Sequence, residues 1–147
     1  MRVKFKILTE GATLPFYATP GASGFDLVAI EDTKIYGGRT TAVKTGLAVE
    51  IPEGFEMQIR PRSGLSLKTN LRVANSPGTV DSDYRGEVCV IMQNTLDAGQ
   101  TMSYQIKKGD RIAQGVIVPV IRADLVLEQE ELSDTKRGTD GFGSTGK

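Results

Sequence analysis

The sequence of 147 residues contains no histidine, no tryptophan and a single cysteine, Cys89. Without histidine, the chain cannot build a Ser-His-Asp or Cys-His nucleophilic site or a metal site with histidine ligands. With one cysteine, it can form neither an intramolecular disulfide nor a thiolate cluster, which is typical of a protein in a reducing compartment. Any chemistry therefore depends on carboxylates, hydroxyls, backbone amides and the side chains of Arg and Lys.

Net charge and long apolar runs are also missing. The 18 basic and 18 acidic residues give a formal net charge of zero, so no overall field attracts nucleic acid or an anionic membrane. The longest apolar stretch, GVIVPVI at residues 115–121, is too short to cross a bilayer. The N-terminal MRVKFKIL lacks the continuous apolar region of a signal peptide. We therefore expect a cytoplasmic protein that binds neither nucleic acid nor a membrane.

Short runs rich in β-branched residues predict a chain made of strands. Residues 1–7 alternate between apolar and basic side chains, as a half-buried strand does. Further strand-like runs, separated by turn sequences such as PEG and KKGD, lie at 24–30, 40–45, 47–51, 55–60, 87–93, 102–106 and 112–120. This pattern predicts one all-β domain, a sandwich or barrel, over residues 1–132, followed by a flexible glycine-rich arm over 133–147.

Helical periodicity is nearly absent. The best candidate is one short turn in SGLSLKTN, which we expect Ser63 to cap with its side chain. Residues 124–132, DLVLEQEEL, are ambiguous between helix and strand, and we assign the first half to a strand.

The segment NSPGTVDSDYRGEV at 75–88 is the first candidate for chemistry. Pro77 and Gly78 suit the two central positions of a type II turn. Asp81 and Asp83 would share one face of a strand, where two carboxylates could serve acid–base chemistry or ion pairing. A polar loop between strands explains the same residues about equally well.

Two further segments have functional and ordinary explanations. PRSGLSLK at 61–68 could present free N–H groups to phosphate at the start of a helix, or could be an ordinary capping sequence. GDRIAQGVIVP at 109–119, taken alone, is best explained by a turn with a solvated Arg111 before a buried strand.

Taken together, five segments resemble the motifs of the trimeric all-β deoxyuridine triphosphatase (dUTP diphosphatase, dUTPase) family. They are, in order along the chain, PGASGFDL at 20–27, PRSGL at 61–65, NSPGTVDSDYRGEV at 75–88, GDRIAQ at 109–114 and RGTDGFGSTG at 137–146. The resemblance implies a jelly-roll-like subunit and a homotrimer whose three active sites are shared between subunits. It also implies hydrolysis of dUTP to dUMP and pyrophosphate, with Mg²⁺ held by the substrate phosphates and waters. That activity keeps uracil out of DNA and supplies dUMP for thymidylate synthesis.

The resemblance further implies roles for particular residues in the β domain. Asp81 would be the general base that activates the water attacking the α-phosphate, and Tyr84 would lie flat under the deoxyribose. The uracil slot would be lined by Asn75 and by the backbone of Thr79, Val80 and Cys89. The phosphate chain would be held by Arg62, Ser63 and Gly64, with Gln114 adding a phosphate or metal-water contact. Asp26 would support the water shell of the metal or orient Arg62.

In the C-terminal arm, the resemblance implies that Arg137 meets the γ-phosphate and that Phe142 stacks over uracil. The phosphates would be wrapped by Gly143, Ser144 and Thr145. Asp140 occupies a position where the family usually has glycine, and we expect its side chain to point away from the triphosphate.

Three other functions fit parts of the sequence. A dCTP deaminase shares the architecture, but it would need a glutamate base beside the pyrimidine, whereas this chain presents Asp81 followed by Tyr84. A non-catalytic nucleotide sensor and a structural jelly roll are the alternatives from other functional classes.

Overall fold

A computed structural model of the chain describes residues 1–97 and 102–141. Within these ranges the chain forms ten strands and one short helix. The strands are β1 Lys4–Ile7, β2 Phe25–Val28, β3 Thr33–Tyr36, β4 Thr40–Glu50, β5 Phe55–Arg60, β6 Leu71–Val73, β7 Gly78–Val80, β8 Glu87–Asn94, β9 Ser103–Ile106 and β10 Arg111–Pro119, and the helix α1 is Ser63–Lys68. None of the described helical residues forms a segment long and apolar enough to span a membrane.

Two four-stranded antiparallel sheets form the body of the domain. Their strand orders are β1-β4-β8-β6 and β2-β10-β5-β7, and β3 and β9 form a separate two-stranded ribbon. Most strands pair with partners that are not their neighbours in sequence, as expected for a jelly-roll-like sandwich. The predicted all-β fold is therefore confirmed.

The core lies between the two sheets. In strand β8, Val88, Val90 and Met92 are buried and the positions between them are more exposed. This alternation follows from the two-residue period of a strand. These side chains belong to one buried cluster with Leu27 of β2 and Met57 of β5 from the opposite sheet. Burial of both inner faces fixes the register of each strand.

Strand β4 contains an irregularity that matters for the site. The predicted runs at 40–45 and 47–51 are one strand, which is paired with β8 on both sides of a register shift between Lys44 and Ala48. Gly46 lies in this bulge at φ 71°, a left-handed conformation that glycine adopts without steric cost.

Three local predictions are wrong. Helix α1 begins at Ser63 with Arg62 in the N-cap position and no side-chain capping hydrogen bond, so Ser63 is inside the helix and does not cap it. The Ser76–Pro77 peptide is cis, and Gly78 opens β7 without a positive φ, so these residues do not form a type II turn. Residues 124–132 contain no strand, because no segment of the described chain pairs with them.

Candidate functional site

The third motif forms a turn that joins β7 to β8. Strand β7 pairs with β5 through Met57 and Val80, and Asp81 follows it directly. The backbone N–H of Tyr84 donates to the carbonyl oxygen of Asp81 at 3.2 Å. The predicted common strand face for Asp81 and Asp83 is therefore wrong, because both carboxylates are exposed residues of a turn.

A cavity of about 310 Å³ opens between this turn and the outer face of β8. All six residues that sequence analysis assigned to the base, the sugar and the attacking water line it: Asn75, Thr79, Val80, Asp81, Tyr84 and Cys89. Its remaining wall includes Ile59, Val88 and Ile91. The cavity thus combines apolar walls with strand backbone and an amide, which suits a planar, polar-edged ring.

The side chains around this cavity are held by local contacts. The Tyr84 hydroxyl donates to the carbonyl oxygen of Glu87 at 3.0 Å, and Oε1 of Glu87 accepts the N–H of Gly46 at 2.8 Å. Burial raises the pKa of the Cys89 thiol, the Glu87 carboxylate raises it further, and Lys44 opposes them. Cys89 is therefore a neutral thiol near neutral pH.

The first, second and fourth motifs converge at a buried carboxylate, Asp26. Its Oδ1 forms an ion pair with Nε of Arg62 at 2.8 Å, and its Oδ2 accepts from Nη1 of Arg111 at 3.0 Å. Nη1 of Arg62 also donates to the backbone oxygen of Arg111 at 3.2 Å. The side chain of Asp26 is only 10% exposed, whereas those of Arg62 and Arg111 are 27% and 50% exposed. Asp26 therefore holds Arg62 at the start of α1.

Strand order explains why these residues meet. Strand β10 lies between β2 and β5, so Gln114 stands opposite Asp26 on one side and Arg60 on the other. The Gln114 amide donates to the carbonyl oxygen of Pro61 at 2.9 Å, immediately before Arg62. Ser63 and Gly64 form the exposed first turn of α1.

Arg111 is the functional residue that sequence reasoning missed. Taken alone, GDRIAQ indicated a solvated arginine, but the guanidinium group is paired with Asp26. The two charged residues were visible in the sequence, because the first motif contributes Asp26 to β2 and the fourth motif contributes Arg111 to β10. Only the pairing of β10 with β2 shows that these charges meet.

Asp81 and Arg62 line different cavities of the single chain. The cavity lined by Asp81 and Tyr84 includes none of Arg62, Ser63, Gly64 and Gln114. Arg62 and Arg111 line another cavity of about 210 Å³.

The described part of the arm contains Arg137 in a turn. Its Nε donates to the carbonyl oxygen of Asp140 at 2.7 Å, and the N–H of Asp140 donates back to the Arg137 carbonyl at 3.1 Å. Both residues are exposed. The four remaining predicted contacts of the arm, Phe142, Gly143, Ser144 and Thr145, lie outside the described residues.

Comparison with known proteins is consistent across sequence and structure. Residues 10–146 match the dUTPase family model. The chain is 52% identical over 147 residues to the deoxyuridine 5′-triphosphate nucleotidohydrolase of Nautilia profundicola, covering 100% of both chains. It is 53% identical to the enzyme of the same name from Hydrogenobaculum sp., covering 99% of each.

Among solved structures, the dUTPase of Staphylococcus bacteriophage 80alpha with dUPNHPP superposes with a TM-score of 0.89 at 30% identity, covering 99% of this chain and 98% of that one. A variant dUTPase from phage phi11 of S. aureus, described with a structural Mg(II) ion, gives a TM-score of 0.81 at 28% identity, covering 88% and 98%. The order of the five motifs, the sandwich fold and these matches agree, and the chain belongs to the dUTPase family.

Proposed function

We propose that this protein is a dUTP diphosphatase, which hydrolyses dUTP to dUMP and pyrophosphate and so keeps uracil out of DNA and supplies dUMP. The observation that carries the proposal is the cavity of about 310 Å³ formed by the third motif, in a chain about half identical to deoxyuridine triphosphate nucleotidohydrolases over its full length. Two carboxylate residues lie on its lining; Glu87 accepts the N–H of Gly46, and Asp81 lies beside groups suited to a nucleoside.

Asp81 is the group that activates water in this proposal. Its position immediately after β7 places the carboxylate at the edge of the cavity, where the α-phosphate of a bound nucleotide would lie. A positioned base contributes typically about 10²–10⁴-fold to the rate. The remainder comes from aligning the phosphates and neutralising their charge.

The base is selected by the slot between β7 and β8. Backbone groups of Thr79, Val80 and Cys89, with the amide of Asn75, present fixed donors and acceptors to the uracil edge. Mismatched hydrogen bonds discriminate by about 10⁴-fold or more, whereas a methyl group in a pocket discriminates by about 10–200-fold. We therefore expect stronger rejection of cytosine than of thymine on chemical grounds, with the rigid backbone adding a clash against the 5-methyl group. Tyr84 supports the deoxyribose.

The triphosphate binds at the other residue group. Arg62, held by Asp26, provides the fixed cation, and Ser63 and Gly64 provide backbone amides. When bound, Mg²⁺ neutralises phosphate charge, and it is suited to this site because it retains waters and is held largely by substrate phosphates. In the described part of the chain, no three His, Cys, Asp or Glu side chains group so as to hold a metal directly. Asp26 and Gln114 are the polar side chains in this group that could accept hydrogen bonds from its waters.

We also propose that the active unit is a homotrimer with sites shared between subunits. That Asp81 and Arg62 line different cavities supports this, because a second copy would then supply one of the two groups around the nucleotide. The extended segment 121–132 supports it too, since Ile121 and Leu125 are 95% and 90% exposed. Apolar segments of this kind are normally covered by a partner. A cytoplasmic location is consistent with one free cysteine.

The arm completes the proposed site. Arg137 would contact the γ-phosphate, and Phe142 would cover the uracil while Gly143, Ser144 and Thr145 surround the phosphates. Glycine-rich backbone is suited to this because its N–H groups approach anions closely. The arm would then become ordered only when the triphosphate is present.

The function is tested by pyrophosphate release from dUTP, dTTP, dCTP and UTP with Mg²⁺. We expect turnover of dUTP far above the other three. Asp81→Asn should abolish most turnover while sparing dUTP binding, and the control Asp83→Asn, in the same exposed turn, should retain wild-type turnover. Ammonia release from dCTP would instead identify a deaminase, and dUTP binding without pyrophosphate release would identify a sensor. Turnover of Asp81→Asn at the wild-type rate would refute the role of Asp81.

A further inference from the structure

The ring of Tyr84 lies against the backbone of Gly86. A Cβ atom added to Gly86 would be 2.6 Å from Cζ and 3.0 Å from Cε2 of Tyr84, and it would also meet the phenolic oxygen. Such distances do not occur between real atoms, so the ring can occupy this position only because residue 86 has no side chain. Gly86 has no positive φ that would explain the glycine by backbone conformation.

The hydroxyl of Tyr84 fixes the other end of the ring. It donates to the carbonyl oxygen of Glu87 at 3.0 Å, at the first residue of β8. The Glu87 backbone is itself anchored, because its carboxylate accepts the N–H of Gly46 in the β4 bulge. The acceptor of the phenol is therefore part of the sheet and not of a mobile loop.

The main chain beneath the ring is also held. The Arg85 guanidinium donates to the carbonyl oxygens of Ser82 and Tyr84 at 2.7 and 2.9 Å, and the Tyr84 N–H donates to Asp81. The turn from Asp81 to Tyr84 is thus tied at both ends. The rotation of the Tyr84 side chain is restricted by the backbone of Gly86 and by the Glu87 carbonyl.

We propose that Gly86 is a positioning residue for the choice between deoxyribose and ribose, acting through the Tyr84 ring. The inference rests on the proposed function, in which this ring supports the sugar. A surface excludes a 2′-hydroxyl by clash only if it cannot move aside. Tyr84 is 44% exposed, so burial alone does not fix the ring. The contact with Gly86 and the hydrogen bond of the hydroxyl group hold it in place. A side chain at residue 86 removes both restraints, and the ring then yields to a ribose.

The test compares kcat/KM for dUTP and UTP in Gly86→Ala and the wild type. We expect the preference for dUTP to fall by about ten-fold or more, in the range by which pockets discriminate small groups by size. Gly21→Ala is the matched control, because a Cβ there meets no atom within 4 Å and its φ is not positive. It should retain the wild-type preference, and both variants should unfold at the wild-type temperature.

A double-mutant comparison separates this role from a general one. In a Tyr84→Ala background, Gly86→Ala should leave the dUTP preference unchanged, because no ring remains to be displaced. Tyr84→Phe keeps the ring on Gly86 and loses only the hydroxyl bond, so its preference should lie between the wild type and Gly86→Ala.

Two results would overturn the inference alone: an unchanged preference in Gly86→Ala when the wild type discriminates, or a further loss of preference in the Tyr84→Ala background. Absence of dUTP turnover in the wild type would refute the proposed function, and the inference with it.

Discussion

The replacement of Asp26 by asparagine removes the charge that joins the first, second and fourth motifs. The side chain keeps its size, but one carboxylate oxygen becomes an amide group that can only donate. That amide group would face a guanidinium nitrogen of Arg62 or Arg111. These nitrogens can only donate, and they now lie 2.8 and 3.0 Å from the Asp26 oxygens. One guanidinium therefore loses its partner at a position where the residue it contacts, Asp26, is buried away from solvent.

The expected cost follows from burial. Breaking a fully buried ion pair costs about 3–5 kcal/mol, which is an upper limit here. Arg111 is half exposed and Arg62 is 27% exposed, so water replaces part of the lost interaction. Hydrogen bonds to charged groups contribute roughly 1.5–3 kcal/mol, and we expect Asp26→Asn to lower the free energy of unfolding by about 2 kcal/mol. For a chain of this size that corresponds to a decrease of roughly 4–8 °C in the unfolding temperature.

Unfolding should be measured at one fixed protein concentration, because subunit association adds to apparent stability. The control is Glu50→Gln, which breaks an ion pair between two well-exposed side chains, Lys4 and Glu50, and should leave the unfolding temperature unchanged. We also expect kcat/KM for dUTP to fall by about 100-fold, the effect of a misplacement of roughly 1 Å. An unfolding temperature of Asp26→Asn equal to that of the control would refute the role of Asp26 as an anchor.

The same variant distinguishes the two roles that the sequence left open for Asp26. If it orients Arg62, stability and kcat/KM fall together and the Mg²⁺ concentration for half-maximal turnover is unchanged. If it supports the water shell of the metal, that concentration rises. Both carboxylate oxygens are already paired with guanidinium groups, so we expect the first result.

Three further predictions concern other parts of the chain. Gly115→Ala should lower the free energy of unfolding by about 1–3 kcal/mol, as overpacking does. An added Cβ would lie 2.7 Å from Cζ of Phe25 and 3.0 Å from Sδ of Met57. An unchanged denaturation midpoint would contradict this prediction. Burial raises the pKa of Cys89, so its alkylation at pH 7.5 should be slower in the native than in the unfolded protein. The native rate should increase as the pH rises through the thiol pKa. Equal rates in the native and unfolded protein would contradict this prediction. Deletion of 137–147 should reduce dUTP turnover sharply with an unchanged unfolding temperature, whereas loss of the fold would contradict the arm as a separate unit.

The longer strands were predictable because burial on one face leaves a period of two in the sequence. The prediction at 87–93 agrees with β8, Glu87–Asn94, where three alternating positions are apolar and buried. Strands β3 and β6 were not predicted. They have four and three residues, and pairing with β9 and β8 defines them.

Residues 124–132 show a different limit. The apolar letters of LVL favour a strand, but a strand exists only where another segment provides hydrogen-bonding partners. Within the described chain no segment does so, and the apolar side chains remain exposed. Local sequence reports that a segment can form a strand, while the location of its partner is a property of the fold or the assembly.

The candidate site was predictable where the motif itself is contiguous. Residues 75–89 contain β7, the turn that follows it and the start of β8, so the residues assigned to the base and sugar line one cavity. The contact between Arg111 and Asp26 joins residues far apart in sequence, and no local pattern encodes it. The supporting role of Gly86 likewise depends on a side-chain position that the sequence does not specify.

A chain without histidine has no side chain whose ordinary pKa lies near neutral pH, except in strongly perturbed cases. Its catalysis must therefore depend on where a carboxylate and its cations are held. Asp81 lies in an exposed turn, which alone would position it poorly. The turn is tied by the Tyr84 N–H and by the two bonds that Arg85 donates to its carbonyl oxygens. Arg62 is fixed in turn by Asp26. The chain therefore fixes the proposed base and the proposed principal cation through separate networks, and in the proposed homotrimer subunit association would set the distance between them.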